Sequence, residues 1–441
     1  MVSADDLLSW TDSHGHRFTH DLFKFPGKFH PPIVENVIKR FDPRGVIDPM
    51  GGVGTVAVEA KAAGVASLTI DVDPVSVFFA TVKTTPLSGS TLRSAWSDLQ
   101  DALARFRRSE KQITDFRFAD IATSTLRKRL SRVQAMHLTE LEYWFRRYVL
   151  VDYASIDHAI WNGGLPQRGA AVRRFFKACL LSSVRRISNA DPAPVSGLEI
   201  TKHMRERLER GYEIDVAGEF ERRVLLNIDR MEEYSEYLAA QGTRAVRATI
   251  AQGDCRDVAT LAKAAELEAD LILFSPPYCN AIEYWRRHQL EYFLGQFLAS
   301  EDIPAHNSRF IGRRKVGGDS RAVPVTLSYK PVDEIIKALH GGERQVKAWQ
   351  LWNYFNDMKS RLGDFFAALP SGGRAVIVVG DSQSFGFRIP TAAALHAFAI
   401  AAGFEHLDTV SYAIKNRSMQ YPLRDGTFKI ADESLMAFER P

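Results

Sequence analysis

The stretch Leu271-Ile272-Leu273-Phe274-Ser275-Pro276-Pro277-Tyr278 decides how this chain is read. Four apolar residues without polar alternation predict a strand buried on both faces, as in parallel sheets. Two successive prolines cannot continue it, because neither donates a ladder hydrogen bond. The strand therefore stops abruptly, and a hydroxyl and an aromatic ring emerge at its carboxyl end, where open α/β sheets bind their ligands. The chemistry suits a flat, amino-bearing ring. The Ser275 hydroxyl and the Pro276 carbonyl can accept hydrogen bonds from an exocyclic NH2, and Tyr278 can stack on the ring.

Upstream lies Gly45-Val46-Ile47-Asp48-Pro49-Met50-Gly51-Gly52-Val53-Gly54-Thr55, followed by the Ala-rich segment Val56–Lys61. Val46-Ile47 reads as a short buried strand and the Ala-rich segment as a helix. The three glycines between them let the backbone turn tightly beside a ligand, and the helix amino end offers unpaired N–H groups. The spacing does not fit the dinucleotide pattern Gly-x-Gly-x-x-Gly. A second strand, Ser67-Leu68-Thr69-Ile70, runs into Asp71-Val72-Asp73-Pro74. A carboxylate at such a strand end binds ribose hydroxyls in nucleotide-binding folds; Asp71 and Asp73 are both candidates. A third strand, Ala248–Ala251, leads to Gln252-Gly253-Asp254-Cys255. Nearer the amino end stands Phe23-Lys24-Phe25-Pro26-Gly27-Lys28-Phe29-His30-Pro31-Pro32.

In this order, these stretches resemble the S-adenosylmethionine-dependent amino-methyltransferases that modify cytosine N4 or adenine N6 in DNA. Ser-Pro-Pro-Tyr resembles their motif IV, and Asp48 to Thr55 their motif I, with Met50 where an aromatic residue is usual. The resemblance covers residues 20–86 and about 246–441. It implies a catalytic role for Ser275, Pro276, Pro277 and Tyr278. It implies cofactor contacts from Asp48, Pro49, Gly51, Gly52, Gly54 and Thr55, from Asp71 or Asp73 at the ribose, and from Asp254 or Cys255 at the adenine. Lys28 and Phe29 would pack over the methionine part, with Lys28 meeting its carboxylate. Serine at the first motif IV position resembles the cytosine-N4 enzymes more often than the adenine-N6 ones, so cytosine N4 is the expected target. The alternatives are adenine N6 and an RNA target, since tRNA guanosine N2-methyltransferases carry a related Asp-Pro-Pro-Tyr. Protein glutamine methylation uses Asn-Pro-Pro-Tyr, which Ser275 does not match. A DNA-binding subunit with a vestigial methyltransferase fold is the non-enzymatic reading.

Strands near 45–48, 67–71, 247–251, 270–274 and 374–379, then an antiparallel pair near 405–413 and 433–438, predict an α/β fold with a seven-stranded Rossmann-like sheet. Residues 90–245 read as a large helical insertion. In Leu92–Arg107, for example, Leu92, Ala95, Trp96, Leu99, Leu103 and Phe106 recur at helical spacing. The chain thus divides into 1–89, the insertion 90–245 as a target-recognition domain, and 246–441 with the catalytic motif. Formal net charge is only +4, but residues 101–190 hold 17 Lys/Arg against 8 Asp/Glu, a net of +9, which leaves −5 elsewhere. Such asymmetry suits a nucleic-acid-facing module. Its candidates are Arg146-Arg147, Arg173-Arg174 and Arg185-Arg186, interleaved with aromatic residues. A further basic, glycine-rich stretch, Phe310–Asp319, holds Arg313, Arg314 and Lys315 and is placed to track phosphates or close over the target. Asp381, after the strand Val376–Val379, is expected to orient the target loop. Double-stranded DNA with a flipped base is the expected partner. The recognition sequence and any restriction or defence partner leave no signature in these motifs.

No run of 18 apolar residues occurs, so no transmembrane helix is expected. The amino terminus lacks a basic-then-apolar signal. Cys179, Cys255 and Cys279 fit a reducing compartment, no spacing matches a structural zinc site, and no metal is expected. The expected location is cytoplasmic, nucleoid-associated in a prokaryote.

Overall fold

The computed structural model describes residues 17–25, 27–104, 121–130, 138–192, 198–211, 213–279, 284–298, 302–311, 325–342, 344–384, 386–413 and 432–441. Seven strands form one sheet: β1 (Gly45–Asp48), β2 (Ala66–Asp71), β3 (Ala248–Gln252), β4 (Leu271–Phe274), β5 (Arg374–Gly380), β8 (Glu405–Ala413) and β9 (Asp432–Glu439). A separate hairpin, β6 (Ser382–Ser384) and β7 (Phe387–Ile389), follows β5. The order across the sheet is β3-β2-β1-β4-β5-β9-β8. The first five strands are parallel, and β9 runs antiparallel to both β5 and β8. The expected strands thus form the expected α/β architecture.

Every residue of β1 and β4 is buried, as central parallel strands require. Their side chains alternate between the two faces. Ile47, Ile272 and Phe274 point into a core covered by helices of the carboxyl-terminal part, while Val46, Leu271 and Leu273 point into a second core under α1 (Pro31–Phe41) and α2 (Thr55–Ala62).

After α3 (Pro74–Thr84) the insertion supplies α4 (Gly89–Ala104), α5 (Thr123–Arg129), α6 (Leu138–Trp144), α7 (Arg147–His158), α8 (Ala170–Ile187), α9 (Lys202–Glu209) and α10 (Val216–Ala240). α4 carries Leu92, Ala95, Trp96 and Leu99 on its buried face; the expected continuation through Phe106 and Arg107 lies outside the described residues. The insertion does not pack as a body of its own. One apolar cluster runs from its helices through Phe79 and Val75 of α3 to Leu22 and Phe23 near the amino end, and to Leu290–Leu294 of α11 (Gln289–Gly295). Polar clamps reinforce the junction. The Tyr234 hydroxyl on α10 donates to the Val58 carbonyl on α2, and Arg230 donates to the Asp21 carbonyl. α3 and α11 both lend apolar residues to this cluster, so the insertion is joined to the sheet through them.

Candidate active site

β1 and β4 are neighbours, with Val46 opposite Leu271 and Ile47 opposite Ile272. Their carboxyl ends therefore lie about one strand spacing, ~4.8 Å, apart. Here the strand order changes direction, which is where open α/β sheets form their ligand crevice. The glycine turn leaves β1 on one side of that crevice, and Ser-Pro-Pro-Tyr leaves β4 on the other.

The turn is held by backbone bonds to its neighbour strand. Gly51 N–H donates to the Ile70 carbonyl at 3.0 Å, and Gly54 N–H to the Gly51 carbonyl at 2.9 Å. Gly52 N–H donates to Asp71 Oδ2 at 2.8 Å. Gly52 and Gly54 sit at φ +48° and +78°, in the left-handed region. A Cβ on Gly51 would stand 2.1 Å from Thr69 Cγ2. Beneath the turn, the fully buried Lys83 donates to the Val53 carbonyl at 2.8 Å, and burial, with Lys28 nearby, lowers its ammonium to about 7.

A cavity of about 960 Å3, counting space open to solvent, fills the crevice. Lys28, Phe29, Asp48, Pro49, Gly51, Gly52, Thr55, Asp71, Asp73, Asp254, Cys255 and all four residues of Ser275–Tyr278 line it. Gly54 lies behind the wall; it caps α2, and a Cβ there would meet the Ala80 Cβ at 2.8 Å. Residues from both ends of the sequence thus meet in one space.

The acids divide their work. Asp73 caps α3 through the Val75 N–H at 2.9 Å and pairs with His288 Nδ1 at 2.5 Å. Asp71, more open, accepts from Gly52 N–H and from Asp73 N–H at 2.8 Å each. Of the two ribose candidates, Asp71 is the one whose carboxylate stands at the open wall. Burial, then the neighbouring Asp73 charge, raises Asp71 to about 7. Burial raises Asp48 to about 8, with Asp71 adding to it. Asp254 caps its own turn through the Arg256 N–H and pairs with that guanidinium at 2.7 Å.

Lys28 lines the cavity with its ammonium on Asp21 Oδ1 at 2.9 Å. The Tyr278 phenol donates to Glu433 Oε1 at 3.0 Å, and Glu433 Oε2 accepts from the Tyr412 phenol at 2.5 Å. Glu433 of β9, two strands across the sheet from β4, therefore fixes the Tyr278 ring. Asp381 accepts from the Ala392 N–H in the first turn of the helix after β7 at 3.1 Å and pairs with Arg388. Cys255 and Cys279 are both free thiols. Cys279 is buried against Ser382 at 3.1 Å, and burial pushes both thiols up, to about 12 and about 11.

Ser76 and Arg309 are among the lining residues that the sequence did not single out as cofactor or target contacts, whereas Phe310 and Ile311 open the basic, glycine-rich stretch read as facing the target. Arg313, Arg314 and Lys315 lie outside the described residues. His288, thirteen residues after Ser275, carries no local pattern at all.

The basic pairs of the insertion split between support and surface. Arg146 donates to the Leu208 carbonyl at 3.2 Å. Arg147 donates to the Ile121 carbonyl and pairs with Glu142 at 2.7 Å. Arg185 donates to the Asp191 carbonyl, and burial lowers it to about 10. Arg186 stands 3.6 Å from Glu219, and the Arg173 guanidinium lies 5.2 Å from the Trp161 ring centroid. Arg174 is exposed. Most of these arginines brace helices, which long side chains at a helix junction do by reaching free carbonyls. Among the described residues, no group of three or more His, Cys, Asp or Glu could hold a metal, and no helix is long and apolar enough to cross a membrane.

The fit to S-adenosylmethionine can be tested on the chemistry of these groups. That molecule is cationic at its sulfonium and amino groups and carries a ribose diol. The cavity offers two strand-end carboxyls with raised affinity for protons, Asp48 and Asp71, and a glycine turn. A cation and a diol answer all of these, and the residues fit.

A parallel sheet reversing between β1 and β4 and closed by an antiparallel pair is the architecture of the Rossmann-like methyltransferases, whose methyl donor is S-adenosylmethionine. No family model matches the chain. It is 32% identical over 117 residues, 26% of its length, to the type II methyltransferase M.MjaII of Methanocaldococcus jannaschii. It is 23% identical over 194 residues, 42% of its length, to the type II methyltransferase M.MvaI of Kocuria varians. The chain spans only 21% and 38% of the length of these two relatives. A solved rRNA methyltransferase, aviRa from Streptomyces viridochromogenes, aligns over 98% of this chain and 94% of its own at 12% identity and TM-score 0.36.

Proposed function

We propose that this chain transfers a methyl group from S-adenosylmethionine to the exocyclic amino nitrogen of a base flipped out of double-stranded DNA, with cytosine N4 as the target. One observation carries the reading: Ser275–Tyr278 and Asp71 line the same cavity, although 204 positions separate Asp71 from Ser275. The relatives' names, both type II methyltransferases, support the reaction class. Serine at the head of the motif supports cytosine N4 over adenine N6.

In this reading Asp71 holds the ribose hydroxyls, Asp48 faces the positively charged methionine part, and Asp254 and the Cys255 amide meet the adenine. Lys28, shared with Asp21, reaches the methionine carboxylate while Phe29 covers that end. S-adenosylmethionine supplies an electrophilic methyl on its sulfonium. The target amino nitrogen is a poor nucleophile because its lone pair is delocalised into the ring. Ser275 Oγ and the Pro276 carbonyl accept hydrogen bonds from its two N–H groups, which localises the lone pair and aims it at the methyl. The N–C bond forms as the S–C bond breaks, the electron pair stays on sulfur, and one N–H proton leaves to solvent. Pro277 stiffens the loop that carries both acceptors. This is catalysis by positioning and electrostatics. Tyr278, steadied by Glu433, replaces the stacking a flipped base loses.

The test is mass spectrometry of nucleosides from DNA and from RNA incubated with the protein and labelled S-adenosylmethionine. N4-methylcytosine from DNA supports the reading. N6-methyladenine, or product from RNA alone, refutes the target, and label in neither refutes the transfer.

A further inference from the structure

A second, larger cleft lies beside the candidate active site, and the methyl-transfer reading leaves it unused. It encloses about 2510 Å3, counting space open to solvent. The two cavities share a wall. Ser76 of α3 lines the first and Phe78, two residues on, lines the second, about 3 Å further along the helix axis.

The charge of this cleft is one-sided. Lys128 and Arg129 of α5, His158 of α7 and Arg174 of α8 line it, and all are exposed. Among the described residues that line it, the one acid is Asp157, which Lys177 Nζ neutralises at 2.6 Å. An aromatic platform stands among these cations. Trp161, half-buried, sits on the π-helical turn Ala159–Gly163. Such turns are rare and are frequent at functional sites. Cations that track phosphates, arranged around a ring that takes a base face, are what binds single-stranded nucleic acid. A membrane surface would call instead for a protruding apolar face.

We propose that this cleft holds a single-stranded stretch of nucleic acid next to the target base. Its phosphates rest on Lys128, Arg129 and Arg174, and one unstacked base lies on Trp161. That the strand is the one carrying the target rests on the methyl-transfer reading above.

The experiment measures binding of a short oligothymidylate across a salt series, with S-adenosylmethionine affinity as a control for folding. Combined Lys128→Glu, Arg129→Glu and Arg174→Glu reversal should weaken binding and reduce the salt slope by about 2, at ~0.7 per single-strand phosphate contact. Trp161→Ala should weaken binding about 5- to 150-fold, the range of one lost stacked base, whereas Trp161→Phe should retain most of it. Cofactor affinity should stay at the wild-type value in every variant. Wild-type affinity and slope in the triple variant would overturn the proposal, as would equal damage from Trp161→Phe and Trp161→Ala. The two readings fail separately. If the reversals do nothing while the wild-type protein still methylates DNA, the cleft proposal falls alone. If the reversals weaken oligonucleotide binding but no methyl is transferred to any nucleic acid, the cleft stands and the reaction falls.

Discussion

Nδ1 of His288 lies 2.5 Å from Oδ2 of Asp73, and both side chains are 2% exposed. Asp73 caps α3, and His288 immediately precedes α11. Burial opposes both charges, but the partners outweigh it. Asp73 is held below the ordinary carboxylate range and His288 above the ordinary imidazole range. The pair therefore ties together two stretches 215 residues apart.

His288→Ala should leave Asp73 buried without its cation, at a cost of about 3–5 kcal/mol, read as a lower denaturant midpoint. The depressed Asp73 contributes above about pH 4 and loses its contribution as pH falls. The raised His288 contributes below about pH 6.5 and loses it as pH climbs through its folded value. The stability gap between wild type and variant should be widest between those limits. A gap that does not change with pH would mean the loss is one of packing.

S-adenosylmethionine affinity should rise with pH. Asp71, raised to about 7, is mostly protonated at pH 6 and mostly ionised at pH 7.5, and the ribose hydroxyls, which donate to it, select the ionised form. Calorimetry should show affinity increasing roughly five- to tenfold across that interval. Asp71→Asn should flatten the dependence.

Removing the Asp71 side chain altogether should weaken S-adenosylmethionine by about 1.5–3 kcal/mol, the worth of hydrogen bonds to a charged group. Asp71→Ala with unchanged affinity would remove this acid from the ribose.

Ser275→Ala takes away one acceptor and leaves the Pro276 carbonyl, so turnover should fall while cofactor affinity persists. Tyr278→Ala removes a stacking face worth about 1–3 kcal/mol, and its deficit should shrink on a mismatched target, where flipping costs less. Steady-state rates on paired and mismatched duplexes decide this; full activity of Tyr278→Ala on paired DNA would end the stacking role.

Gly51→Ala would put a methyl group 2.1 Å from Thr69 Cγ2. The turn or β2 must shift, which should cost about 1–3 kcal/mol and weaken cofactor binding with it. A variant with wild-type melting and affinity would show that the turn has room to spare.

The sequence by itself determined the strands and what stands at their ends. Leu271–Phe274 could be read because a parallel strand buried on both faces must be apolar throughout. The turn from Asp48 to Gly54 could be read because only glycines take φ +48° and +78° without strain. Both are local rules, written in neighbouring residues. The tertiary structure alone decided which side chains meet. Nothing near His288 foretells Asp73, and nothing near Tyr278 foretells Glu433, 155 residues on. The paired arginines looked alike in sequence, yet Arg146, Arg147 and Arg185 brace carbonyls while Arg174 faces a cleft. Whether a cation serves a helix end or a ligand depends on which free carbonyls and carboxylates the fold brings within about 3 Å of it. Hydrophobic burial, which is non-directional, settles that for the chain as a whole.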